Sequence, residues 1–152
     1  MTGARNGFDR LRPLRRALRG LEATQVKRFG RSALSVVFRT RVLVLETTGR
    51  RSGRRRETTL AYHRLDDGEL VVVGGAGGQR RVPDWVANLR ARPEAAVVVG
   101  GERTAVVAHE LIGAQRQQVW EVARQVWPRI ETYERRAGRP VPVFRLVAVD
   151  AR

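Results

Sequence analysis

The chain predicts an α+β domain: six mostly antiparallel strands forming a small barrel, with helices at its ends and one inserted. Three observations carry this reading. Short apolar runs separated by turn signals fill the stretch from Val42 to Val149. An Asp67-Gly68 pair and a Gly100-Gly101 pair sit where tight hairpins need them. Helical spacing of apolar residues is confined to the N-terminus, to a short stretch near Pro83 and to a longer one after Gln115. The organisation expected is a basic helical segment over 1–41 and a barrel domain over 42–152.

Taken in order, Phe8, Leu11, Leu14, Leu18 and Leu21 recur every three or four residues with arginines between them, as on one face of an amphipathic helix. Pro13 fits only in its first turn. That face packs on the domain, or it lies on an anionic membrane surface. The shortness of the helix and the lack of a tryptophan anchor favour the first. Strands are expected over Val42–Thr47, Glu57–Arg64 and Leu70–Val73, the last running into glycines at 74, 75, 77 and 78. A helix starts near Pro83, buries Trp85, Val86 and Leu89, and stops before Pro93. Strands Ala95–Val99 and Arg103–Leu111 then meet through the two-glycine turn. A helix from about Gln115 is interrupted at Pro128 and ends near Arg136, and the final strand is Val143–Val149.

Charge is uneven along the chain. Of 30 basic and 15 acidic residues, 16 basic and 3 acidic fall within residues 1–56, so that third holds nearly all of the net +15. Such a field attracts polyanions, anionic lipid or an anionic cofactor. The absence of cysteine excludes disulfides, thiolate metal sites and cysteine nucleophiles. No stretch has the roughly 20 apolar residues of a membrane span, and residues 1–30 lack the pattern of a signal peptide. A cytoplasmic protein is expected, with residues 8–21 the candidate for peripheral contact with the inner face of the cell membrane.

The candidate site is organised on the loop between the first two strands. Thr47-Thr48-Gly49-Arg50-Arg51-Ser52-Gly53-Arg54-Arg55-Arg56 concentrates five arginines and two glycines. Arginine offers a planar, permanently charged fork suited to phosphate and carboxylate, and glycines leave backbone amides uncovered for an anion. The glycine loop at 74–78 lies at the same sheet end if the first three strands form one sheet, and the N-terminus of the helix from Pro83 points there. Together they describe a groove for a long anion with a planar head. Other chemistry lacks its parts. His63 and His109 stand alone in strands, and the glycines at 74–78 fit neither a dinucleotide fingerprint nor a P-loop. A bound cofactor would supply the reactivity.

At these residues the chain resembles the deazaflavin-dependent oxidoreductases of the nitroreductase type, which use reduced coenzyme F420. The likeness rests on Glu46 to Arg56, on Gly77-Gly78 followed by Pro83-Asp84-Trp85-Val86-Ala87-Asn88-Leu89, on Arg92-Pro93, on the Val97–Val107 hairpin, and on Pro140-Val141-Pro142. It implies a split β-barrel like those that bind FMN. It also implies a cofactor with an anionic phosphate and glutamate tail, coenzyme F420, with FMN second. Gly49, Arg50, Arg51, Ser52, Gly53 and Arg56 would form the tail site. Backbone groups of Glu57, Thr58 and Thr59 and of Gly75, Ala76, Gly77 and Gly78 would flank the deazaflavin. Trp85 and Asn88 would line the site, Tyr133 would stand beside the acceptor as a proton donor, and Trp120 and Trp127 fall to the core. Ala61 and Ile130 replace tyrosines found near the acceptor in some relatives. A roomier, less polar pocket suits a quinone or another lipophilic conjugated acceptor, such as an activated enone, better than a nitroimidazole. Two other classes stay open: a non-catalytic flavin, deazaflavin or haem binder on the same fold, and a basic module for nucleic acid or membrane surfaces. The strands lack the aromatic ladder of single-strand binders, which disfavours nucleic acid.

Overall fold

The computed structural model describes residues 41–75 and 78–149. The helix expected at 8–21, the segment 1–41 but for Arg41, and Ala76 and Gly77 therefore lie outside the described residues.

The continuous apolar run Val42–Leu45 opens β1 (Val42–Thr48), buried on both faces, which pairs antiparallel with β2 (Arg55–Ala61) around the arginine loop. After β2 come β3 (His63–Arg64) and β4 (Leu70–Val73), joined through a turn in which Gly68 takes φ 88° and donates its N–H to the Leu65 carbonyl. The helix α1 (Asp84–Ala91) begins directly after Pro83 and ends at Arg92. Strands β5 (Glu94–Val99) and β6 (Glu102–Glu110) follow, and their turn is Gly100-Gly101 with φ of 59° and 86°. Positive φ at both positions is the twist-matched hairpin turn that side chains resist. Two helices, α2 (Gly113–Val126) and α3 (Ile130–Ala137), flank Pro128, and β7 (Val143–Ala148) closes the chain. The break at Pro128 follows from its missing N–H and its ring, which prevent one continuous helix.

All pairings are antiparallel, in the order β2-β1-β5-β6-β7-β4-β3. There are seven strands among the described residues, not six. The expected strand Glu57–Arg64 is two strands that end at opposite edges of the sheet. The switch falls at Tyr62, which is 7% exposed and donates its N–H to the Arg41 carbonyl. Burying that ring turns the chain from one edge to the other. The sheet curls enough for β2 to touch β4, which makes the domain α+β and barrel-like.

Each sheet face has its own cover. Leu43, Leu45, Val72, Val97, Val106, Phe144 and Leu146 point inward, and α1 plugs this interior with Trp85, Val86 and Leu89. The Trp85 and Phe144 rings meet edge to face at 5.6 Å. On the outer face of β4 and β7, Val71 and Val143 pack against Trp120, Ala123 and Ile130 of α2 and α3. The buried position of Trp120 fits its assignment to the core, and Trp127 packs half-buried against the same cluster. Arg116 fastens this layer, lying 4.5 Å over the Trp120 ring and donating to the Val141 carbonyl at 2.9 Å. Arg90 of α1 forks onto Glu110 of β6 at 2.8 and 2.6 Å, and this carboxylate holds the guanidinium pKa above its ordinary value.

Candidate functional site

The curl decides where the loops lie. Strands β1 and β4 are separated by β5, β6 and β7, so they are not neighbours as the sequence suggests. Successive antiparallel pairings nevertheless leave β1 and β4 running in the same direction. The arginine loop after β1 and the glycine loop after β4 therefore emerge at the same end of the sheet, with α1 between them.

The arginine loop is closed by its own bonds. Gly49 donates its N–H to the Arg54 carbonyl at 2.8 Å, Gly53 donates to the Gly49 carbonyl at 2.8 Å, and Arg54 N–H reaches Ser52 Oγ at 3.2 Å. Gly53 adopts φ 66°, and a Cβ on Gly49 would lie 2.6 Å from Ser52 Oγ. Both glycines are thus needed to form the loop. The expectation that its amides are left for an anion narrows to Arg51 and Ser52: the N–H groups of Gly49, Gly53 and Arg54 are engaged inside the loop, and that of Arg50 is given to Asn88 Oδ1 at 3.0 Å. The positive charge comes from the side chains.

Those side chains divide into two sets. Arg50 reaches Asp84 at 3.4 Å and Asn88 at 3.5 Å, and Arg55 lies 3.7 Å from Glu46 and 3.5 Å from Glu57. Arg51, Arg54 and Arg56 are exposed, and among the described residues no carboxylate pairs with them. Asn88 braces the loop from α1. It is 4% exposed, accepts from Arg50 and donates to Thr47 Oγ1 at 3.2 Å, so its amide is engaged in support. Trp85, 5% exposed, belongs to the interior core one turn away.

Thr58 pairs opposite Leu45, on the inward face shared with Arg56 and Thr47, whereas Glu57 and Thr59 pair opposite Glu46 and Val44 on the outer face. What Glu57–Thr59 offer jointly is backbone, because β2 is an edge of the described sheet. The Thr59 hydroxyl is buried and has no hydrogen-bond partner among the described residues.

The glycine loop is packed more tightly than its sequence suggests. Gly74 donates to the Pro142 carbonyl at 2.8 Å, and a Cβ there would lie 2.9 Å from Val86. A Cβ on Gly75 would meet the Tyr133 ring at 3.1 Å, and one on Gly78 would lie 2.8 Å from Arg136 Cβ. The ring drawn against Gly75 is therefore that of Tyr133. This contact brings the expected acceptor-side tyrosine to the glycine loop. Ile130 is 1% exposed within the α2–α3 core, so it does not widen a pocket as the sequence reading assumed. His63 and His109 lie on β3 and β6, and no group of three metal-ligating side chains occurs among the described residues.

Sequence reasoning passed over Thr47, Asp84 and Arg139. Thr47 is buried beside Asn88, Asp84 joins Arg50 to Arg81, and Arg139 holds the backbone after the glycine loop. The one available signal was Asp84 in the first turn of a helix, three residues after Arg81.

A curled antiparallel sheet with a cationic loop and a glycine loop at one end is the architecture of a split-barrel-like α+β domain. Residues 15–148 match the family model for F420H(2)-dependent quinone reductases. An F420H(2)-dependent quinone reductase of Mycobacterium tuberculosis is 34% identical over 107 residues, covering 68% of this chain and 71% of the relative. Among solved structures, an F420-H2 dependent reductase superposes with a TM-score of 0.63 at 29% identity, covering 69% of this chain and 92% of that one. A protein described as a domain-swapped dimer gives a TM-score of 0.65 at 26% identity over 93% of this chain and 99% of its own. The chain belongs to the F420H(2)-dependent quinone reductases. It is an oxidoreductase that uses coenzyme F420, and its reaction is hydride transfer from the reduced cofactor to a quinone.

The residues present fit that cofactor. Three exposed arginines without carboxylate partners, on a loop rigidified by its own hydrogen bonds, suit a phosphate and carboxylate tail. An edge-strand backbone beside a buried hydroxyl lacking a partner among the described residues suits the polar rim of a planar ring.

Proposed function

We propose that Arg51 and Arg56, with Arg54, hold the phosphate and tail of coenzyme F420, and that the deazaflavin lies between the edge of β2 at Glu57–Thr59 and the glycine loop at Gly75–Gly78. The observation that carries this reading is the set of exposed, carboxylate-free arginines at the sheet end shared by both loops. Arg50 acts as a brace, because Asp84 and Asn88 already hold it.

When bound, the reduced deazaflavin supplies a hydride from C5. The chain's part is to orient: a cofactor fixed by its tail and flanked by backbone presents one ring face to an acceptor, and alignment supplies much of the rate. Tyr133, half-buried against Gly75, donates a hydrogen bond or a proton to the quinone oxygen. The hydride and that one proton together convert the quinone to the hydroquinone, with water as the proton source where Tyr133 only donates a hydrogen bond. Ala61, small and half-buried on β2, leaves an apolar wall that favours a lipophilic quinone. Residues 8–21 remain the candidate for contact with the inner membrane face, where such a quinone would reside.

The test is a fluorescence titration with F420 at low salt, in parallel with Arg51→Ala and Arg56→Ala. Micromolar binding by the wild type is expected, weakened about tenfold or more in each variant, or ~1.4 kcal/mol per lost charge-assisted contact. Absence of binding by the wild type, or full affinity in both variants, overturns the assignment of the loop.

A further inference from the structure

A single side chain gathers the backbone that connects the glycine loop to α1. Arg139 donates from Nε to the Arg80 carbonyl at 2.9 Å and from Nη2 to the carbonyls of Gln79 at 3.0 Å and Arg81 at 3.3 Å. Its Nη1 also reaches the Pro140 carbonyl at 3.3 Å. Three successive carbonyls thus converge on one guanidinium. The planar fork of arginine is what allows one group to serve them all.

The surroundings show why the fork stands there. Gly138 ends α3 in the left-handed conformation, φ 64°, and donates to the Glu134 carbonyl at 3.1 Å, which turns the chain sharply into Arg139. Three residues on, the Pro142 carbonyl accepts from Gly74 at 2.8 Å. The segment 138–142 thus grips the glycine loop at both its ends, at Gly74 and at residues 79–81. The grip continues toward the tail site: Arg81 pairs with Asp84 at 2.9 Å, and Asp84 is the carboxylate that Arg50 reaches at 3.4 Å.

We propose that Arg139 is a positioning residue for the cofactor: its guanidinium sets the course of residues 79–81 and thereby the spacing between the glycine loop and the arginine loop. The inference rests on the cofactor placement given above. The hydrogen bonds of Arg139 among the described residues all go to backbone carbonyls, so its effect on the cofactor is transmitted through Gly78 and through the Arg81–Asp84–Arg50 chain.

Two readouts test it on the full-length protein, amide hydrogen exchange without cofactor and F420 affinity, with Arg51→Ala as the control for the site itself. In Arg139→Ala, exchange of the Gly78 amide, which donates to the Gly75 carbonyl at 2.8 Å, accelerates about tenfold while β5 and β6 keep their protection. F420 affinity falls about five- to tenfold. Arg139→Lys recovers part of both, since an ammonium reaches one or two of the carbonyls and cannot fork across three. Should Arg139→Ala fail to fold, Arg139→Gln carries the same comparison with a neutral amide donor. Unchanged exchange at Gly78 overturns the grip. Accelerated exchange with full F420 affinity, while Arg51→Ala has lost binding, overturns the positioning role and leaves the site reading intact. Full affinity in Arg51→Ala as well overturns both.

Discussion

Replacing Asn88 by alanine should unfasten the arginine loop from the barrel. The wild-type amide is 4% exposed and satisfies two elements at once, accepting from the Arg50 N–H at 3.0 Å and donating to Thr47 Oγ1 at 3.2 Å. Alanine leaves the Arg50 N–H without its acceptor and a 3% exposed threonine hydroxyl without its donor. Each polar group so stranded costs about 1–3 kcal/mol. The hydroxyl can rotate toward another acceptor, which places the total at about 2–4 kcal/mol. For a chain of this size each kcal/mol lowers Tm by about 2–4 °C, so a fall of roughly 5–15 °C is expected. Thermal unfolding followed by circular dichroism measures it. A cycle with Thr47→Val should return a coupling energy of about 1 kcal/mol, because the valine removes the group that Asn88 serves. F420 affinity should fall alongside, since Arg50 and its neighbours lose their anchor to α1. A Tm within about 1 °C of wild type would refute the bracing role, and zero coupling with Thr47→Val would refute the hydrogen bond as its means.

Gly78→Ala should damage cofactor binding more than Gly75→Ala, because Gly78 has φ 86° and a Cβ there lies 2.8 Å from Arg136, whereas at Gly75 the Tyr133 ring at 3.1 Å needs to shift by only tenths of an ångström; paired F420 titrations and melting curves decide the order. Arg116→Ala should lower stability by about 1–3 kcal/mol, through loss of the contact over Trp120 and of the donor to the Val141 carbonyl. Denaturant unfolding measures this loss, and an unchanged unfolding free energy would refute the fastening role.

Much of the fold was legible because its signals are local. The strand Leu70–Val73, the helix bounded by Pro83 and Pro93, the Gly100-Gly101 hairpin and the break at Pro128 are each set by residues within a few positions. The seventh strand was not legible. The stretch from Glu57 to Arg64 contains no glycine, proline, asparagine or aspartate, and nothing in it marks Tyr62 as the point where the chain leaves β1 for β4. Pairing partners are chosen by which faces the curled sheet can bury, a property of the whole domain.

The same division runs through the site. Sequence alone determined that an arginine-rich, glycine-containing loop follows β1, that a glycine loop follows β4, and that the chemistry would need a cofactor, since side-chain type and spacing carry that information. Only tertiary structure decided which groups are available. It turned most of the loop amides inward, tied Arg50 and Asn88 into support, left Arg51, Arg54 and Arg56 exposed, laid Tyr133 on Gly75, and closed Arg139 over three carbonyls. The physical reason is that each polar group in a packed domain must find a partner. Residues 30 to 60 positions apart become those partners only when the sheet curls, so what remains for a ligand is fixed by that closure.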